Sequence, residues 1–182
     1  QAQKPIEIGN GLLFLGLSGE KAAATLSSKK MTDPDGYPLQ CLDRLEGGAI
    51  ACFGLAVSDL TASIDFYKRC LGMSVLDVQE WPAVDAASSE GMIAFLRHKS
   101  GPMTCMCLQQ VSHAIDLGNG FDHVVFSTQD VQAAASFLES NGVEITLPPT
   151  VMFGLNIVGF KDPSGYTLYM VDENQFCQQS QS

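Results

Sequence analysis

The strongest constraint in this 182-residue sequence is an internal repeat. "ACFGLAVSD" at 51–59 returns as "DHVVFSTQD" at 122–130, so that Cys52 and His123 stand 71 positions apart, as do Asp59 and Asp130. Each copy reads as an apolar strand that ends on an aspartate suited to cap a helix. Helical spacing follows both times. In "LTASIDFYKRCLG" the residues Leu60, Ile64, Tyr67 and Leu71 recur every three or four positions and Gly72 supplies the stop, and "VQAAASFLESNG" follows Asp130. Three strand candidates come next in each copy: "MSVLDVQE", "MIAFLRH" and "MTCMCLQQV", then "VEITLPP", "LNIVGFKD" and "YTLYMVDE".

A four-stranded sheet with one helix covers only one of its faces, so a unit used twice is expected to use its copy as the second cover. The expected fold is α+β: two paired βαβββ modules, 49–114 and 119–174, forming a cupped mixed sheet. The cleft between them is where a ligand would sit. Residues 1–48 form an N-terminal extension and 175–182 a polar tail. Within the extension, "DPDGYPLQC" at 33–41 echoes "DPSGYTLYM" at 162–170, and a strand and a helix candidate precede it. Residues 10–41 could therefore be a degenerate fragment of a third module. Asp-Pro-x-Gly is a common turn, however, so coincidence is the preferred reading, with the segment packed along a sheet edge or the helices.

Composition narrows the partners. Hydrophobic residues make up 46% and charged residues 16%, enough apolar material for a core. A formal charge of −10 and a pI near 4.5 would repel nucleic acid and anionic membrane surfaces. The run "GLLFLGL" at 11–17 is too short to span a bilayer. A small organic molecule is the expected partner. A start at Gln1 suits a mature chain after signal cleavage, hence periplasmic or secreted, and equally a trimmed cytoplasmic one. The six cysteines do not decide between them.

The stretch "GLAVSDLTASIDFYKRCLGM", with "HVVFSTQD" and the closing "DPSGYTLYM", resembles the vicinal oxygen chelate superfamily, the glyoxalase I and bleomycin-resistance group, over about residues 49–173. The resemblance implies paired βαβββ modules around a divalent metal, in one chain or across a homodimer. Its metal ligands are a His or similar residue on the first strand of each module and a Glu or similar residue on the last. Those positions carry Cys52, Cys107, His123 and Tyr169 here, with Gln109 as the alternative to Cys107 one register step away.

No carboxylate stands among them, although oxygen-seeking metals and non-haem iron call for one. The expectation is a site that works without metal. Zinc on Cys52, Cys107, His123 and Tyr169 is the alternative, because thiolates and imidazole are zinc donors. Each residue also has a plain structural reading. The cysteines suit a buried core, and His123 and Tyr169 suit a pocket wall.

Arg97 could anchor a ligand carboxylate or sit in a rim ion pair. Trp81 opens a loop that lengthens the interval from Cys52 to Cys107 to 55 residues, against 46 from His123 to Tyr169, and this suits a lid or a passive loop. His98, at a strand end, and His113, between the modules, suit exposed roles. No nucleophile elbow, phosphate loop, dinucleotide fingerprint or Cys-x-x-Cys occurs.

The functional expectation is an enzyme of lyase, isomerase or cyclase type. His123 would be its general acid or base and Tyr169 its proton donor, with Cys52, Cys107, Gln109, Arg97 and Trp81 as ligand contacts. The alternatives are a non-catalytic sequestration protein and a zinc-dependent enzyme.

Overall fold

The computed structural model describes residue 7 and residues 9–17, 31–41, 50–81, 91–98 and 104–179. They fall into two compact units, 1–121 and 122–182.

Unit 1 holds β1 (Leu12–Leu17), β2 (Met31–Thr32), β3 (Pro38–Cys41), β4 (Ile50–Val57), α1 (Leu60–Leu71), β5 (Ser74–Trp81), β6 (Gly91–Arg97) and β7 (Cys105–Gln110). Asp59 starts α1 as expected, its Oδ1 accepting the Ala62 N–H at 2.9 Å. Gly72 stops it in the left-handed region at φ 64°. The buried stripe of α1 runs through Leu60, Ser63, Phe66, Tyr67, Cys70 and Leu71. It covers one face of the sheet, and Leu55, Ala94, Leu96, Met106 and Leu108 are fully or almost fully buried. The strand order is β2-β3-β1-β4-β7-β6-β5.

Unit 2 repeats the second part of that order. Its sheet runs β8 (Val124–Thr128), β11 (Thr167–Asp172), β10 (Leu155–Lys161), β9 (Ile145–Met152), with α2 (Val131–Ser140) after β8 and α3 (Glu173–Gln179) after β11. Asp130 caps α2 through Ala133 at 2.9 Å, as Asp59 caps α1. First and last strands pair in parallel in both units, β4 with β7 and β8 with β11. A hairpin cannot join parallel neighbours, so the helix must make the return crossing.

The N-terminal segment extends the sheet of unit 1 at its β4 edge. Its turn matches that of unit 2 bond for bond. Asp33 Oδ1 accepts from the N–H groups of Asp35 and Tyr37, and Asp162 Oδ1 from those of Ser164 and Tyr166. Gly36 and Gly165 take φ 93° and 91°, and each donates to the aspartate carbonyl. β3 then pairs antiparallel with β2 and parallel with β1, as β11 does with β10 and β8. The turn and strands at 31–41 thus repeat the geometry of the end of unit 2. The segment is built into the sheet of unit 1, β1 lying antiparallel to β4. Residues 175–179 of the expected polar tail lie in α3.

Asp162 is 5% exposed and its carboxylate satisfies two backbone donors. Asp162→Ala strands both, and is expected to lower unfolding free energy by about 1–3 kcal/mol. Urea denaturation of the variant beside the parent checks this.

Candidate functional site

In unit 1 the parallel ladder sets Cys52 beside Cys105, Gly54 beside Cys107 and Ala56 beside Gln109. Alternation along the strands puts all six on the face away from α1. β6 adds Phe95 beside Cys107 and Ile93 beside Gln109. Cys52 Sγ donates to the Phe53 carbonyl at 3.5 Å. With Ile93, Phe95 and half-buried Leu13 the three cysteines make a closed cluster in which Cys52 and Cys107 are 0% exposed.

The neighbouring Cys105 side chain pulls the Cys52 thiol down, but the Cys107 side chain, burial and the Cys107 charge outweigh it, and the net position is well above the ordinary thiol value. Cys105 is pushed up by the Cys52 side chain and then by burial, with Arg97 pulling part of the way back. The ladder pair Leu96–Met106 puts Arg97 one residue on, opposite Cys105. Gln109 is 1% exposed, and its Oε1 has no hydrogen-bond partner among the described residues. Of the other expected ligand contacts, the Trp81 side chain and the loop after it lie outside the described residues. His98 is half-buried and His113 exposed.

In unit 2 the corresponding face carries His123, Val125 and Tyr169, Val125 standing beside Tyr169 in the parallel ladder. The His123 and Tyr169 rings meet edge to face, centroids 4.9 Å apart at 78°. His123 Nδ1 lies 2.8 Å from Asp122 Oδ2. With the proton on Nδ1 the imidazole donates to that carboxylate and Nε2 keeps its lone pair outward. The His123 side chain is 36% exposed.

The Tyr169 ring can lie across its neighbour only because that neighbour is Gly159. A Cβ there would stand 2.7 Å from Tyr169 Cε1 and 2.9 Å from Leu147 Cβ. Asp122 and Gly159 escaped the sequence reading, although an acid directly before a pocket histidine was a usable signal. A cavity of about 390 Å³ opens at the far end of β8, lined by Gln129, Asp130, Val131, Gln132, Pro149, Thr150, Val151, Asn156 and Asp172. It contains none of the expected site residues.

Three of the four positions that the resemblance assigns to a divalent metal lack the imidazole or carboxylate it implies, and two of them, Cys52 and Cys107, lie buried in an apolar cluster, although thiolate and imidazole are donor types that zinc takes. Among the described residues no three His, Cys, Asp or Glu side chains stand in a metal-holding group.

Residues 49–170 match the family model for the Glyoxalase/Bleomycin resistance protein/Dioxygenase superfamily. The chain belongs to this superfamily. It is similar to a putative lactoylglutathione lyase of Brassica oleracea var. gemmifera, 32% identical over 122 residues that cover 63% of this chain and 41% of that protein. It is 30% identical over 133 residues to a lactoylglutathione lyase of Arabidopsis thaliana, covering 67% of this chain and 44% of that one. The chain thus spans under half the length of these two relatives. Glyoxalase I from Zea mays shares the fold with a TM-score of 0.78 at 25% identity, over 96% of this chain and 72% of that one. The superfamily fold therefore takes in the N-terminal segment as well. No helix among the described residues is long and apolar enough to cross a membrane.

Two outcomes follow from the packing of these faces. Gly159→Ala drives a methyl group into the Tyr169 ring. It should separate that ring from His123 and cost about 1–3 kcal/mol, visible as a lowered melting temperature and the loss of His–Tyr nuclear Overhauser contacts. The thiols set a pH dependence, because their folded-state values lie above the unfolded one. Above the ordinary thiol pKa the unfolded chain releases protons that the folded chain keeps. Stability is fully present below about pH 8.5 and falls as pH rises beyond it. Urea midpoints measured between neutral and alkaline pH should show this fall, and Cys52→Ala with Cys105→Ala should flatten it.

Proposed function

We propose that the face of unit 2 carries a metal-independent proton-transfer site for a small organic substrate. His123 is its general base or acid and Tyr169 its proton donor. The observation behind this reading is the Asp122–His123–Tyr169 arrangement. A carboxylate holds one ring nitrogen at 2.8 Å and a phenol ring stands against the imidazole at 4.9 Å, while the side chain stays open to solvent. Asp122 fixes the tautomer, so Nε2 is the atom that takes a proton from carbon or returns it. The Tyr169 hydroxyl supports the oxygen on which charge develops.

The names of the curated relatives point to adducts of glutathione with 2-oxoaldehydes as the first substrates to try. An enol-forming shift of a proton between adjacent carbons needs one base and one oxygen partner, and the two side chains supply these. In this reading Cys52 and Cys107 are core and take no chemical part.

A sequestration protein is the second reading. It is favoured by Val125, an apolar residue 41% exposed beside Tyr169, which offers an organic ligand a surface without chemistry.

The test is turnover of glutathione–2-oxoaldehyde adducts by metal-stripped protein, with elemental analysis of the protein as purified. His123→Ala is expected to lower turnover by about 10²–10⁴-fold, Tyr169→Phe by less, and both should leave ligand binding in place. A chelator should change nothing. Turnover restored only by zinc would replace this reading with the zinc enzyme, and binding without conversion would favour sequestration.

A further inference from the structure

The ladders that set Val125 beside Tyr169 also place the residues around His123. Val124 pairs with Leu168, so one step back along the parallel strands His123 stands level with Thr167. Thr167 pairs in turn with Lys161 of β10, as Tyr169 does with Gly159. Residues directly opposite one another point to the same face of a sheet. His123, Thr167 and Lys161 therefore form one row across three strands, on the face that carries Tyr169. Val125, Tyr169, Gly159 and Leu147 form the next row.

The two rows differ in chemistry. The first offers an imidazole, a hydroxyl and an ammonium group, and the second is apolar but for the Tyr169 hydroxyl. Tyr169 ties them together. Its ring meets that of His123 at 4.9 Å, and it lies over Gly159, two residues before Lys161 on the same strand and the same face. An organic molecule spread across these strands meets polar groups along one edge and apolar surface along the other.

Charge decides what the polar row can hold. Residues 122–182 contain seven Asp and Glu residues and one Lys or Arg, which is Lys161. Its side chain is exposed, and among the described residues no ion pair engages it. An anionic group on a ligand of this face has, within unit 2, that one fixed positive charge to meet. Neighbouring strands lie about 4.8 Å apart, so two such spacings separate the Cα atoms of Lys161 and His123, roughly 10 Å. The lysine stem spans part of that distance. A ligand whose acidic group lies a few bonds from its reacting carbon covers the rest.

We infer that Lys161 is the specificity-determining residue of the His123 site, holding a carboxylate of the substrate while His123 meets the carbon that loses its proton. The inference rests on the proton-transfer reading of that site and adds to it the acidic end of the substrate. Lys161 takes no proton itself. An ion pair at that distance from the reacting carbon is made alike in the ground state and the transition state, so it lowers KM and leaves kcat alone. The pair stands in solvent, so salt weakens it.

Two measurements test this. The first compares turnover of a glutathione–2-oxoaldehyde adduct with that of its dimethyl ester, and the second compares binding of an unreactive S-alkyl glutathione with that of its dimethyl ester by calorimetry. The parent should favour the free acid in both. Lys161→Gln should raise KM for the acid roughly three- to tenfold at unchanged kcat, and should bind acid and ester alike. Lys161→Arg should keep the preference, and Lys68→Gln, which removes an exposed charge from α1, should leave it untouched. Added salt should shrink the preference in the parent. Acid and ester bound alike by the parent overturn the inference, as does no binding of either, or a preference that survives in Lys161→Gln. The proton-transfer reading fails separately: full turnover in His123→Ala with the acid preference intact removes His123 from the chemistry and leaves Lys161 as the anion contact.

Discussion

Parallel pairing between the first and last strands of each module decides which side chains can act together. It brings residues more than forty positions apart in sequence into one row, Cys52 with Cys105 and Val125 with Tyr169. Because the pairing is parallel, a helix must carry the chain back, and a single aspartate starts that helix in each module. The helix then covers one face and leaves the other for whatever the row contains. The chemistry of each module is thereby confined to alternate residues of two strands.

The N-terminal segment shows the same constraint working on less chain. β1, β2 and β3 keep the parallel pair, the hairpin and the aspartate turn. What they preserve is the part of a module that joins it to another, since β1 is the strand that meets β4. The segment is tied down elsewhere too: Tyr37 donates its hydroxyl to the Gly120 carbonyl at 2.7 Å, and the Glu7 N–H reaches Asn119. A strand pair with so many anchors is part of the core of unit 1 rather than an appendage to it.

How much of this was legible depends on the range of the signal. Strand, helix and cap are local, and the 71-residue repeat exposed them because Asp59 and Asp130 kept step with Cys52 and His123. The aspartate turn at 33–37 was visible but ambiguous, since four residues cannot say which strands they join; only the pairing of β1 with β3 decides that. Alternation puts Cys105 on the face of Cys107, but only the parallel ladder shows that Cys105 stands beside Cys52. Gly159 was hidden for a different reason. Its role is to be absent under the Tyr169 ring, and no pattern of side chains records a missing one.

The two modules have used the same positions in opposite ways, and the solvent decides which use is open to each. A thiol among Ile93, Phe95 and two further thiols loses less by staying neutral than by ionising, so the row in unit 1 is held as core. The imidazole of unit 2 is held by the Asp122 carboxylate at 2.8 Å and stays partly open to solvent. The same pair of strands is thus closed off as core in unit 1 and left partly open to solvent at His123 in unit 2, so any ligand of this chain's described residues meets the second row rather than the first.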